Sequence, residues 1–479
     1  MYAADATAVM VPNSATTVEP TCPFPLQALP GTLQSFCTDL AGQCALPVET
    51  VAVICLWTLM RATTPGARLC AAEVEIPIAD SGDWLFVVRQ DTASLGNLLE
   101  IILQPVIRGQ AERAAALEIL DANRLALREA QLKRELEQMG KAGRFSDPVH
   151  VEFVRAELDR IQAQRRPLLM IKDPTERQLK ESLPYFLDHA PGLVVSDARG
   201  HADVLEGLTK ARNGSASVTP KPAWAVCLGL TKGSAAPASS SQGVQIALLC
   251  CSDAEFIEEM AVQQRDVLRN SFLVGIPDGI AADNKQITLD AQPWNSLVQQ
   301  ALAPRLARAH TGWRLTVKGA DAFSTGVAGL AASPAAVSVG STPTAITGMI
   351  GRLALALHAS LCPPGTELPH EAMECTLELL RWLLQARERV VQACLAKGQE
   401  KRDAKAEATM LQKLQSRGGR VRRRDLVRMY YEQRQAIHGP VLERLLRKDA
   451  IFEDEKGFVC LTEQLEKTPL TKCIDERTY

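Results

Sequence analysis

At 479 residues the chain is too long for one compact core, and its 46% hydrophobic and 23% charged composition excludes a disordered tail. A formal charge of -2 excludes a uniformly basic nucleic-acid coat, so any basic surface has to be local. The 13 cysteines, an odd number scattered from Cys22 to Cys473, show no Cys-x-x-Cys pair and no Cys/His spacing suited to zinc; they predict reduced core thiols, a cytoplasmic location and no metal site.

Met1–Pro20 has no Lys or Arg and no sustained apolar run, unlike a signal or transit peptide, and residues 1–21 are expected to be disordered. Residues 22–75 read as a helical lead-in, with helices over Gly31–Ala45 and Pro47–Arg61 opened by Pro30 and Pro47. The apolar stretch Val48–Met60, about 13 residues, is shorter than the roughly 20 a bilayer requires and reads as a buried helix, so no membrane partner is expected. Strand-like runs follow at Ala72–Ile78 and Trp84–Val88, split by the turn-rich Asp80-Ser81-Gly82-Asp83.

Leu98–Met139 and Val149–Arg165 predict an antiparallel helical arm, 98–166, broken over Gly140–Pro148. Next come an apolar run at Leu168–Ile171, a helix after Asp173-Pro174-Thr175, and a strand at Gly192–Asp197. With the continuous apolar run Val244–Leu249, this is the rhythm of a parallel α/β sheet. Cys250 and Cys251 are read as free thiols, with a strained vicinal disulfide as the alternative. Asn213–Gln242 and Phe323–Ile346 are rich in small residues; the first suggests an exposed loop, and Gly326–Gly340 within the second reads as a linker. Helices over Met349–Leu361 and Glu371–Ala396 then lead to the C-terminal region.

There, Arg402–Gln415 has Ala404, Ala408, Leu411 and Leu414 on one stripe and stops at Gly418-Gly419. Val421–Gln435 reads as a second helix with Leu426 and Tyr430 inward, Val441–Lys448 as a third opened by Gly439-Pro440, and Ile451–Leu461 as a hairpin. Three helices and a hairpin in this order predict a winged helix, 400–465, with a tail over 466–479. Arg417, Arg420, Arg422, Arg423, Arg424 and Arg428 concentrate charge near the start of the second helix, where such a domain meets the DNA backbone; Arg444, Arg447 and Lys448 lie on the third, with Glu443 beside them. The wing tip Glu453-Asp454-Glu455 would repel phosphate, which predicts affinity for the backbone of duplex DNA over sequence readout and keeps a protein-contacting winged helix as the alternative.

Short patterns in a shared order also make residues 22–465 similar to the YfjI-like family of primase-helicase-like P-loop ATPases of prophages, plasmids and integrated islands. They are Phe24–Pro30, Trp84–Val88, Asp173-Pro174-Thr175-Glu176, Val194-Val195-Ser196-Asp197, Arg352–His358 and Leu380–Leu383. The resemblance implies an α/β fold: a P-loop (RecA/AAA-like) core over 76–345 with a parallel sheet and the helical-hairpin insertion, a helical lid over 346–399, and the C-terminal winged helix.

The departures point to a degenerate core. A phosphate loop requires glycines, a lysine and a Ser or Thr, but Arg89–Asn97 has no lysine and one glycine. Asp197 is followed by Ala198 where a water-orienting acid belongs. Ser271 stands where the family has an arginine before Phe272-Leu273-Val274, with Arg265 and Arg269 nearby. Asp197, Arg269 and Arg352 are therefore read as vestigial, and no catalytic residue, cofactor or metal is expected. Histidines such as His189 and His201 have no partners at ligand spacing. The expected function is a DNA-binding scaffold or loader in replication, maintenance or anti-phage defence, as a homo-oligomer or with partner proteins. The alternatives are an active DNA-dependent ATPase or helicase using ATP and magnesium through atypical motifs, and a structural adaptor.

Overall fold

A computed structural model describes residues 23–63, 67–71, 74–76, 84–89, 95–142, 147–165, 169–182, 192–205, 208, 247–263, 267–268, 271–275, 289–306, 311–339, 341–363, 365–426 and 438–462. The expectations for residues 1–21, 90–94, 213–242 and 466–479, and for His189, Arg265, Arg269, Arg428 and Tyr430, lie outside these. The chain is mixed α/β with parallel sheets and forms two compact units: Met1–Asp253 with Gln263–Val390, and Ala254–Val262 with Val391–Tyr479.

The first unit is built around α2 (Val48–Thr63), which follows α1 (Gly31–Cys44). Every residue of α2 from Thr50 to Thr63 is buried, as an all-round apolar sequence demands. Two of its hydroxyls are satisfied within the helix, Thr58 donating to the Ile54 carbonyl at 2.9 Å and Thr63 to Leu59 at 3.2 Å, whereas the buried Thr50 hydroxyl has no hydrogen-bond partner among the described residues. Against α2 pack α1, α7 (Gln292–Leu306) and α10 (Pro343–Ala359), and Phe36 of α1 stacks on Trp294 of α7 with ring centroids 5.2 Å apart. No helix of the described residues is long and apolar enough to cross a membrane.

The main sheet has strands β3 (Trp84–Val88), β4 (Met170–Lys172), β5 (Gly192–Val195), β6 (Ala247–Ser252) and β7 (Ser271–Gly275), of which β3 and β7 also pack on α2. Their order is β4-β5-β6-β3-β7 and every pairing is parallel. β6 includes Cys250 and Cys251, so the strand runs further than the apolar run to Leu249 suggests; residues 244–246 are not described. Cys250 and Cys251 are free thiols.

The arm after β3 is α3 (Gly96–Ala142) and α4 (Pro148–Arg165), closed by Leu132, Val154 and Ile161. Pro105 sits inside α3. α7 supplies donors to two carbonyls there, the Trp294 indole to Ile102 at 3.1 Å and the Gln299 amide to Pro105 at 3.1 Å. A capping box opens α5 (Glu176–Ser182), with reciprocal bonds between Thr175 and Gln178.

Two expectations for this unit are refined. The predicted strand Ala72–Ile78 is met in part by β2 (Val74–Glu75), with residues 72–73 and 77–78 outside the described ones; β1 (Ala67–Ala71), not expected, precedes it, and the two lie in a second sheet with β8 (Thr311–Leu315) and β9 (Glu367–Leu368) in the order β2-β1-β8-β9. The small-residue stretch read as a linker is helical, forming α8 (Val317–Ala331), α9 (Pro334–Val339) and the start of α10. Thr316 caps α8 by accepting from the Gly319 N–H at 3.1 Å, and Thr342 caps α10 through Ala345 at 3.2 Å. A Cβ on Gly326 of α8 would come within 2.3 Å of the Leu377 side chain, so close helix packing explains the small residue.

The helix α11 (His370–Ser416) continues past Val390 into the second unit, where α6 (Ala254–Gln263) pairs with it through Glu255–Lys401 and Glu258–Arg402. Gly418 and Gly419, both at positive φ, end α11, with the Gly419 N–H bonding back to Leu414 at 2.9 Å. There follow β10 (Arg420–Arg422), a helical start over 423–426, α12 (His438–Arg447), β11 (Ile451–Glu453) and β12 (Phe458–Leu461). The sheet is antiparallel in the order β10-β12-β11. Its core comprises Met410, Leu414, Leu426, Val441, Leu442, Leu445, Ile451, Val459 and Leu461.

Here too the expected details shift. Val421 is in a strand, not a second helix, because β10 pairs with the apolar strand β12. On α11 the inward positions are Met410 and Leu414 with Ala406 and Leu411 partly buried, while Ala404 is exposed.

Candidate functional site

In a parallel sheet ligands bind outside the carboxyl ends of the strands, where the order of connection reverses. Here β3 is the first strand of the main sheet yet lies between the two that come last, so this edge is the place to look in the first unit. It brings together Arg89 after β3, Lys172-Asp173 after β4, Ser196-Asp197 after β5, and Ser252-Asp253 at the end of β6.

The acids of this edge are engaged by the chain itself. Asp173, held at a positive φ of 47°, accepts from the Ser196 N–H at 2.6 Å and from its hydroxyl at 2.7 Å, and clamps β4 to β5. Asp197 accepts the backbone N–H groups of Arg199 at 3.0 Å and Gly200 at 3.1 Å, one on each oxygen. A Cβ on Gly200 would stand 2.9 Å from that carboxylate, so a larger residue there would push the Asp197 side chain off its bonds. Arg199 pairs with Asp253, the Arg89 N–H donates to the Ser252 carbonyl at 2.8 Å, and Ala198 is buried with its N–H on Cys251 at 3.0 Å. Burial, with the charge of Asp173, pushes the Cys251 thiol up to about 12 against the opposing Arg89 and Lys172, and burial holds Cys250 well above its ordinary value. Among the described residues no three His, Cys, Asp or Glu side chains gather as a metal site.

Ser271, read above as a missing phosphate contact, is a different matter. It pairs in register with Trp84 at the amino ends of β7 and β3, is fully buried, and bonds to the Val267 carbonyl at 2.7 Å. An alteration there does not bear on chemistry at the carboxyl edge. Arg352 is 1% exposed within α10, enclosed and not presented to solvent.

In the second unit the expected DNA-contacting residues divide. Arg444 bonds to Asp403 at 3.0 Å and Glu407 at 3.1 Å, and Lys448 reaches Glu407 at 2.7 Å, so both are tied to α11. Arg420 pairs with Asp454 and Arg423 with Glu453 at 2.8 Å: two acids at the turn between β11 and β12 neutralise arginines of their own unit. Arg417, Arg422, Arg424 and Arg447 are exposed. Among the described residues Arg424 meets only its neighbour Asp425 at 3.6 Å, a contact worth little in solvent. Asp454 also accepts the N–H groups of Phe458 and Lys456, each at 2.9 Å; the Phe458 bond first, then Arg420, hold its carboxyl below the usual range. Sequence reasoning missed the Asp173 clamp, the Arg199–Asp253 pair, and the aromatic Phe452 and Phe458 beside the arginines; the alternation of Phe458-Val459-Cys460-Leu461 was the available signal for the last.

Comparison of the chain with protein-family models, with curated proteins and with solved structures found no match in any of the three.

Proposed function

We propose that this protein binds duplex DNA through a C-terminal winged helix, contacting mainly phosphates, and that its first unit is an ATPase-like body that does not turn over ATP. The observation that carries this is the exposed set Arg417, Arg422, Arg424 and Arg447 on a unit wired helix, strand, helix, helix, strand, strand. Guanidinium groups in solvent are free to replace the counterions of a phosphate backbone. Tying Arg444 and Lys448 to α11 removes side chains that would otherwise reach base edges, which favours backbone affinity over sequence readout.

For the body, strand order β4-β5-β6-β3-β7 supports the P-loop reading and with it the resemblance to the YfjI-like family: the first strand sits between the fourth and fifth of the sheet, as in AAA-like cores. The engagement of Asp173 and Asp197 by the chain's own donors supports the loss of hydrolysis, because neither is held ready for a magnesium shell. A scaffolding or loading role on DNA of a mobile element or defence locus follows from these two halves together.

The test is fluorescence anisotropy of the full chain on a blunt duplex across a salt series. Binding should weaken with salt, and substituting Arg417, Arg424 and Arg447 by Ala together should reduce the log–log slope by about 0.9 for each that contacts phosphate. No binding, or a slope untouched by the triple substitution, overturns the DNA reading. ATP turnover should stay at background; turnover removed by Asp197→Asn, which keeps one acceptor for the turn, would establish an active ATPase instead.

A further inference from the structure

The three-stranded sheet of the second unit has two unlike faces. In register, Ile451 opposes Leu461 and Val421 opposes Val459; Ile451, Leu461 and Val459 belong to the core at 4% exposure or less. The alternate positions therefore turn the other way. There Arg420, Cys460 and Phe452 form one cross-strand row and Arg422 with Phe458 the next. Phe452 is 49% exposed. The guanidinium of Arg420 lies 4.4 Å from the Phe458 ring centroid and that of Arg422 5.3 Å from it. Arg420 is further anchored by Asp454, whereas Arg422 has no ion-pair partner among the described residues.

Flat aromatic faces interleaved with arginines on an open sheet supply two things at once. They offer planes on which unpaired bases stack, and fixed positive charge for the phosphates between them. A duplex hides its base faces and has no use for Phe452, while an acidic peptide has no use for the stacking surface. We propose that this outer sheet face binds single-stranded nucleic acid, with the exposed Phe452 stacking a base and Arg422, braced on Phe458, holding the backbone; this extends the DNA reading above from paired to unpaired strands.

The experiment compares labelled oligothymidylate with a blunt duplex of equal length, using the full chain. Phe452→Ala should weaken oligothymidylate binding on the order of tenfold and leave the duplex untouched, while Phe452→Trp should restore it. Arg422→Ala should reduce the single-strand salt slope by about 0.7. Duplex binding without oligothymidylate binding overturns this proposal and leaves the duplex reading standing. Oligothymidylate binding without duplex binding does the reverse. Equal loss of both ligands in Phe452→Ala, unchanged binding in that variant, or no rescue by Trp also overturns it.

Discussion

The carboxyl edge of the main sheet and the surface of the C-terminal unit both gather acids with arginines, but they use them differently. At the sheet edge Asp173, Asp197 and Asp253 each serve a donor of the chain. In the C-terminal unit the acids Asp403, Glu407, Glu453 and Asp454 hold four cations, yet four arginines remain in solvent. Charge at a topologically expected site is thus spent on holding strands together, while the excess charge stands on a unit whose fold leaves it outside. A partner is met by what the fold does not already satisfy.

The sharpest break of this contrast is at Asp173. Asp173→Ala removes a carboxylate with two short bonds and places alanine at positive φ, and should cost about 2–3 kcal/mol by chemical denaturation while duplex affinity stays constant. A near-neutral result would mean that the edge is held ready for a ligand. Next, Glu407→Gln should release Lys448 and leave Arg444 held by Asp403 alone, destabilising the unit by about 1–2 kcal/mol and tightening duplex binding roughly threefold at low salt. Weaker binding would show that the tether positions Arg444 for DNA.

Acid should act on the turn between β11 and β12. Because the folded carboxyl of Asp454 titrates below its ordinary value, its contribution is complete above that value, near 3.8, and is lost as pH falls through the lower folded value. The Phe458 and Lys456 amide resonances should therefore stay fixed from neutral pH to about 4 and move only below it; movement at higher pH would mean that the turn is held otherwise. Smallest of all, native protein should show no alkylation of Cys250 or Cys251 at mildly alkaline pH, and both should react after denaturation.

What could be read without coordinates follows the range of the interactions involved. α2 and the strands β3 and β5 announce themselves through continuous apolar runs, and the arm through its charged helical repeat. The second sheet was illegible because Ala67–Ala71 pairs with Thr311–Leu315, and neither short run states its partner. Val421 looked helical from its own neighbours and became a strand through Val459. The acidic run Glu453-Asp454-Glu455 was legible as charge, but only the pairing with Arg420 and Arg423 shows what the charge does.

Gly326 has a consequence for how the chain tolerates change. Its surroundings, Ser324, Thr325, Ala328 and Gly329, face solvent, and nothing stands within 4 Å of a Cβ placed on Gly329. Over residues 324–329 of α8 a saturation scan should therefore show broad acceptance with the least tolerance at 326, and a gain of about 0.5–1 kcal/mol for Gly329→Ala three residues on. Composition that reads as low information conceals, in this stretch, one position where variation is restricted, and homologues can be expected to drift on either side of it.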